Sequence, residues 1–244
     1  MAITLTPFEI LYGALTFIAV IISVLLGILI AFKYLKYKKI DFILVGLTWI
    51  FLVSPYWSDA IQFIATTLVG VELNPNLYYF IANAFIAPIH IIWIYAIADF
   101  LFPRQKKILV SLFSIEAVTF ETVFLILFFI NPALIGDQKS YFVVEWAIWI
   151  QIYLLISIAL FLITGFLFAR QSLKAKTKDL KLKGIFLIIA FLCFTVAAII
   201  DVIGADTPTE LTIFLARTFL IISSICFYIG FIMPRFIKEM FIKD

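Results

Sequence analysis

Long apolar runs separated by short polar stretches dominate the pattern along the chain. Seven stand out, at residues 8–32, 42–69, 77–102, 108–131, 141–169, 184–204 and 209–233. Each is long enough to cross a hydrocarbon core, which takes about 20 helical residues. The runs are continuous rather than alternating, which excludes the strands of a membrane barrel. The pattern predicts an all-α integral membrane bundle of seven transmembrane helices, with residues 1–244 forming a single domain.

Composition supports lipid as the solvent of this chain. Of the 244 residues, 65% are hydrophobic and only 14% are charged, and the mean hydropathy is +1.19. A soluble domain of this length could not bury so much apolar surface. We therefore expect a multi-pass protein of the cell (plasma) membrane, whose first partner is the lipid bilayer.

Basic residues are distributed asymmetrically between the predicted loops. All but two of the 18 follow the first, third, fifth or seventh apolar run. The two exceptions are Lys139, which lies in a loop with acidic neighbours, and Arg217, which lies inside a run. Since lysine and arginine accumulate on the cytoplasmic side of membranes, the N-terminus is predicted outside and the C-terminus in the cytoplasm.

The two ends of the chain carry similar segments. Run 1 ends "GILIAFKYLKYKK" and run 5 ends "GFLFARQSLKAK", while run 3 exits as "LFPRQKK" and run 7 as "IMPRFIK". Asp59 follows Lys39 by 20 residues, and Asp201 follows Lys181 by the same interval. These matches predict a 3+1+3 internal repeat, with units 8–107 and 141–238 joined by a linker helix at 108–131.

This layout resembles known architectures in outline. A parallel three-helix repeat around one linker helix is similar to the small sugar transporters with parallel repeats, and the seven-helix order resembles microbial rhodopsins and G-protein-coupled receptors. Two departures matter for what the resemblance implies. Residues 209–233 contain no lysine for a retinal Schiff base, and the Pro-Gln pair of those transporters is absent.

A few polar side chains fall inside the apolar runs, where charge is costly and normally faces the bundle interior. Those whose estimated depths place them in or near the outer half predict an outward-facing polar cavity, with seven candidate ligand-binding residues: Asp59, Asn83, His90, Glu121, Glu145, Asp201 and Arg217. Pro55 and Pro88 lie close to two of them, and a proline within a helix produces a kink.

Asp201 and Arg217 lie on consecutive helices joined by a short turn. Side chains lean towards the N-terminus of their own helix, so the two are predicted to meet at one level, either as a structural ion pair or as part of a functional site. The remaining carboxylates leave three alternatives open. They carry protons, they select a cation or a donor-rich ligand, or Glu116 and Glu121 are protonated and hydrogen-bonded between helices.

Signals for catalysis are weak in this sequence. The single histidine cannot form a multi-histidine zinc site, and no nucleophile motif or phosphate-binding loop occurs. A divalent site built from His90 with Glu116 or Glu121 remains open. We predict that the chain is not an enzyme, has no catalytic residues, cofactor, resident metal or nucleic-acid partner, and contacts anionic lipid or an acidic cytosolic partner through the basic loop 170–183.

These observations favour a seven-helix, receptor-like or sensory membrane protein that binds a small ligand, a proton or a cation in the cavity and signals through a separate cytosolic or membrane partner. Two alternatives remain: a small proton-coupled transporter with parallel three-helix repeats, and a non-catalytic accessory membrane subunit.

Overall fold

The computed structural model describes residues 4–205 and 207–242, and it is an all-α membrane bundle with one small hairpin. The α-helices are α1 (Pro7–Ala31), α2 (Lys33–Tyr37), α3 (Asp41–Leu52), α4 (Trp57–Ile64), α5 (Pro75–Asn83), α6 (Ile86–Leu101), α7 (Lys106–Ile130), α8 (Ile148–Leu173), α9 (Lys178–Ile203), α10 (Glu210–Ile232) and α11 (Arg235–Phe241). Strands β1 (Gly136–Gln138) and β2 (Val144–Trp146) pair antiparallel. Single turns of other helix types occupy Ser54–Tyr56, Ala65–Val69 and Pro132–Leu134.

Six helical segments are long and apolar enough to cross a membrane: Pro7–Tyr37, Pro75–Leu101, Lys106–Ile130, Ile148–Leu173, Lys178–Ile203 and Glu210–Ile232. A seventh results if Asp41–Leu52 and Ser54–Val69, which meet at a bend of 40°, are counted as one span. Many large apolar side chains on these helices point outward, as expected where lipid replaces water. The prediction of a multi-pass helical membrane protein is therefore confirmed at this level.

Both prolines singled out in the sequence coincide with helix breaks. Pro55 lies in the 3₁₀ turn between α3 and α4, and Pro88 lies in the first turn of α6, just after α5 ends at Asn83. A proline lacks an N–H and its ring clashes with the carbonyl one turn earlier. For Pro88 that carbonyl belongs to Ala84, in the two-residue gap between α5 and α6.

The spans form a closed ring, which we call the central ring. Helix α1 packs against α3, α4 and α10; α6 packs against α3 and α8; and α9 packs against α8 and α10. Helix α7 packs mainly against α6 and faces outward over most of its length. Inside the ring, fully buried Trp49 stacks on Phe227 with ring centroids 3.9 Å apart, and Phe161 and Phe194 contact the same indole. These rings form the apolar core of the bundle.

Two hydrogen bonds join α1 to α10 along their length. Arg217 Nε donates to Thr16 Oγ1 at 2.8 Å, and the hydroxyls of Ser23 and Ser224 lie 2.7 Å apart. All four side chains are buried. Both pairs are separated by 201 residues in the chain, so α1 and α10 run parallel in one fixed register.

One predicted element begins later than the sequence suggested. The run 141–169 was expected to be helical throughout, but α8 starts only at Ile148, and the preceding residues form the β1–β2 hairpin. Glu145 is therefore not a helical, intramembrane carboxylate. It lies on β2 opposite Asp137, and 61% of its side chain is exposed. The stretch "YFVVEW" is rich in aromatic and β-branched residues, which favour a strand.

Candidate functional site

A cavity of about 220 Å³ opens between the helices of the central ring. Residues of α1, α3, α4, α5, α6, α8, α9, α10 and the hairpin line it, so nearly every span contributes. Five of the seven predicted ligand-binding residues are in its wall: Asp59, His90, Glu145, Asp201 and Arg217. The remainder of the wall is mostly apolar and includes Trp93, Phe161 and Phe194.

Asp201 and Arg217 form the ion pair expected across the α9–α10 turn. Arg217 Nη1 donates to both carboxylate oxygens of Asp201, at 2.9 and 2.8 Å. The guanidinium side chain is only 1% exposed, whereas 22% of the Asp201 side chain is exposed. With Nε bound to Thr16, the arginine joins α9, α10 and α1, and its charge is neutralised within the protein.

Two tyrosine rings enclose the Arg217 guanidinium. Its central carbon lies 4.6 Å from the ring centroid of Tyr56 and 5.5 Å from that of Tyr12, distances at which a cation is attracted to an aromatic face. The Tyr56 hydroxyl donates to Asp201 at 2.6 Å. The Tyr12 hydroxyl donates to Asp59 at 3.4 Å. The tyrosines thus connect the arginine to both carboxylates.

Asp59 is the second buried carboxylate of the cavity. It lies in the first turn of α4, immediately after the bend at Pro55, and is 5% exposed. Tyr78 on α5 donates a short hydrogen bond to one oxygen and Tyr12 donates to the other. Within residues 4–205 and 207–242, no lysine or arginine forms an ion pair with Asp59. The direct hydrogen bonds to this carboxyl group therefore come from tyrosine hydroxyls.

His90 provides another polar point in the cavity wall. Its Nδ1 lies 3.0 Å from Glu116 Oε2 on α7 and 3.4 Å from the Tyr153 hydroxyl. In the neutral imidazole, donation from Nδ1 to the Glu116 carboxylate leaves a lone pair on Nε2. Nε2 is buried and has no hydrogen-bond partner in the described part of the chain. An unsatisfied buried acceptor of this kind costs about 1–3 kcal/mol.

Glu145 marks the hairpin side of the cavity. Lys139 Nζ lies 2.5 Å from Asp137 and 3.1 Å from Glu145. Hydrogen bonds that the exposed Lys139 ammonium donates to Asp137 and Glu145 raise its pKa above the ordinary value. These three side chains form an exposed polar cluster on the hairpin, outside the membrane spans.

Two predicted site residues do not line the cavity. The Asn83 side-chain amide donates to the Tyr79 carbonyl of its own helix and is satisfied there. Glu121 lies on α7, outside the central ring, and its Oε1 is buried without a partner among the residues that the structure describes. Asn83 and His90, seven residues apart in one apolar run, are thus separated by the α5–α6 break.

The tyrosines of the site were not predicted as ligand-binding residues. Tyr12, Tyr56 and Tyr78 come from three different segments and contact Asp59 or Asp201. Tyr12 precedes Thr16 by one helical turn on the polar face of α1, and both reach the Arg217 region. That spacing was the available sequence signal.

The described residues contain no cluster of three or more histidine, cysteine, aspartate or glutamate side chains positioned to hold a metal ion. Comparison of the chain with protein-family models, with curated proteins and with solved structures finds no match in any of the three.

Proposed function

We propose that this chain is a receptor-like or sensory membrane protein that binds a small ligand in the cavity of the central ring and signals through a separate partner. The observation that carries the proposal is the cavity itself, because its wall combines a buried ion pair, a second carboxylate and an unsatisfied imidazole nitrogen. A ligand there would contact most of the spans at once. Its binding would therefore bias their relative arrangement.

The proposal takes the bent pair Asp41–Leu52 and Ser54–Val69 as one span, giving seven in total. The N-terminus is then outside and the C-terminus cytoplasmic, since the lysine-rich ends of α1, α6, α8 and α10 fall on one side. The hairpin and the cavity opening beside it face outward in this arrangement. The membrane proposed is the cell membrane.

The 3+1+3 repeat is part of the proposal and is supported by matching close contacts. A side chain at Gly46 would meet Ala31, and one at Gly184 would meet the carbonyl of Ala169. Both positions, and Gly27 with Gly165, are 138 residues apart. The packing of α1 with α10 likewise corresponds to that of α8 with α6. On this basis units 8–107 and 141–238 are related by a pseudo-twofold axis, with linker helix 108–131 outside.

The signalling partner is proposed to dock at the basic loop 170–183. Arg170, Lys174, Lys176, Lys178 and Lys181 are all exposed there, and such a surface suits an acidic protein face or anionic lipid. This segment comprises the last turn of α8, residues 174–177 and the first turns of α9, and both helices line the cavity. A ligand that shifts these helices would therefore also move the loop. No catalytic step or cofactor is part of the proposed function.

The experiment is a thermal-unfolding screen of small molecules on the purified chain in neutral detergent. Compounds that raise the unfolding temperature are retested on Asp59→Asn, whose side chain lines the cavity, and on the control Glu121→Gln, whose side chain lies outside it. Loss of the shift in Asp59→Asn and its retention in Glu121→Gln support the proposal. Retention in Asp59→Asn and in Arg217→Gln would refute the cavity as the binding site.

A small proton-coupled transporter is the second candidate, favoured by the parallel repeat and by helix breaks near Asp59 and His90. Such breaks are typical of transporter sites, although α9 and α10 have no matching break. Vesicles containing the chain and an internal pH dye separate the two functions. Substrate-dependent acidification supports transport, whereas ligand binding without proton movement supports a sensor. An obligate partner in crosslinking would instead support an accessory subunit.

A further inference from the structure

We infer that the cavity takes an organic ammonium ion with an apolar body and an additional hydrogen-bond donor. This inference rests on the proposed ligand-binding function and names the chemical class of the ligand. It follows from three features of the wall: the buried carboxyl group of Asp59, the His90 nitrogen without a partner in the described residues, and the size and apolarity of the remaining surface.

The charge of the site favours a cation over an anion. Arg217 Nε and Nη1 donate to Thr16 and Asp201, and the ion pair with Asp201 compensates its charge. Asp59 has only hydroxyl donors. A carboxylate buried without a counter-ion is costly, and an ammonium group entering the cavity would remove that cost. An acidic ligand would instead meet two carboxylates.

The aromatic rings near Asp59 suit the same group. Tyr12 stacks on Phe142 with ring centroids 5.2 Å apart, and Tyr56 and Tyr78 also line the cavity. Organic ammonium ions bind well against aromatic faces because the ring quadrupole is negative there. The rings of Tyr12 and Tyr56 already contact Arg217, whereas Tyr78 and Phe142 line the cavity without being part of that contact. The polar part of the cavity thus combines the Asp59 carboxyl group with neighbouring aromatic side chains.

His90 adds a requirement for a donor. Its Nδ1 is committed to Glu116, and the lone pair of Nε2 has no partner in the described residues. The side chain is 5% exposed and lies in the cavity wall. A ligand hydroxyl or N–H placed against Nε2 would satisfy this atom. A ligand that lacks such a donor would leave it unpaired.

The volume and the apolar lining of the cavity determine the size of the apolar part of the ligand. A cavity of about 150 Å³ lined by apolar side chains holds benzene, and this one measures about 220 Å³. We therefore expect a body of one aromatic ring with a short chain. Trp93, Phe161 and Ile158 are among the apolar residues that would contact it.

The test uses probes close in size and shape but different in charge: phenethylamine, 2-phenylethanol and phenylacetate. Each is titrated into the full chain in neutral detergent, and affinity is read from thermal shifts and from quenching of tryptophan fluorescence. The amine is expected to bind about tenfold or more tightly than the alcohol, and the acid more weakly than both. Phenethylamines with one hydroxyl on the ring or chain test the donor at His90.

Variants of the cavity wall identify which side chain causes each ligand preference. Asp59→Asn should remove the preference for amine over alcohol, and Glu121→Gln should keep it. His90→Phe should remove the gain from the added hydroxyl while keeping the amine preference. If a variant does not fold, the comparison of the three probes on the unmodified chain still decides the matter.

The outcomes separate this inference from the proposed function. Equal affinity for amine and alcohol, or tighter binding of the acid, overturns the ammonium class but leaves a ligand-binding cavity in place. Failure of all three probes also overturns the ammonium class, whereas the broader screen tests the function itself.

Discussion

The buried ion pair between Asp201 and Arg217 gives the sharpest test of how this bundle is held together. Removing one partner leaves the other charge buried, which typically costs 3–5 kcal/mol. Because 22% of the Asp201 side chain is exposed, water can reach the group that replaces it. We therefore expect Asp201→Asn to lower the free energy of unfolding by about 3 kcal/mol, the lower end of that range.

The matching change at the other partner is Arg217→Met, which keeps an unbranched side chain of similar length without the charge. It removes the hydrogen bonds to Asp201 and to Thr16. The double variant removes both charges of the pair. It should therefore be more stable than the sum of the two single effects predicts, by about 1.5 kcal/mol or more.

Reversible unfolding in mixed micelles, with increasing denaturing detergent and circular dichroism as the signal, measures all four proteins of the cycle. Arg235→Gln is the control, because Arg235 forms an exposed ion pair with Glu239 at 2.6 Å. It should change stability by no more than about 0.5 kcal/mol. If the effects of Asp201→Asn and Arg217→Met simply add, the two charges are not energetically coupled and the reasoning fails.

Three further predictions follow from close contacts and unpaired groups. Gly46→Ala should destabilise the protein by about 1–3 kcal/mol, since the new Cβ would lie 2.5 Å from the Gly27 carbonyl oxygen. Thermal unfolding measures this change, and an unchanged unfolding midpoint would contradict the close packing of α1 and α3. Glu121→Leu should stabilise by about 1 kcal/mol, because it removes a buried oxygen without a partner, and a lower midpoint would contradict it. The carboxylate partners of Lys139 raise its pKa, so the stabilisation of the hairpin by the Lys139 ammonium is fully present below the ordinary lysine pKa of about 10.4. This stabilisation is lost as the pH rises through the raised pKa. Trp146 fluorescence should therefore show a transition in that alkaline range, and the transition should be absent in Lys139→Gln.

The membrane-spanning architecture was predictable because lipid leaves few options. A continuous apolar run has to form a helix in the hydrocarbon core, where every backbone group must be satisfied internally. The same rule does not apply at the ends of a run. Residues 141–147 are as apolar as many spans but belong to the hairpin and its exit. Apolarity alone does not distinguish a short strand from the first turns of a helix.

The candidate site was predictable where side-chain direction determines which residues come into contact. Asp201 and Arg217 lie on consecutive antiparallel helices, so the lean of each side chain brings them to one level. Glu121 was placed at the same depth, but depth does not specify which way a helix faces. Because α7 packs outside the central ring, Glu121 does not line the cavity. Tyr56 and Tyr78 reach the site through helix breaks that no periodicity describes.

The hydrogen bond from Arg217 to Thr16 and the one between Ser23 and Ser224 connect α1 and α10 at two levels. Seven residues separate the two hydrogen-bonded pairs on each helix, or about 10.5 Å along the axis. Sliding one helix past the other by a turn would break both hydrogen bonds at once and leave buried hydroxyls unpaired. Sliding of α10 along α1 is therefore disfavoured. Tilting of α10 about the two hydrogen-bonded pairs keeps both hydrogen bonds and is the motion with the lower energetic cost.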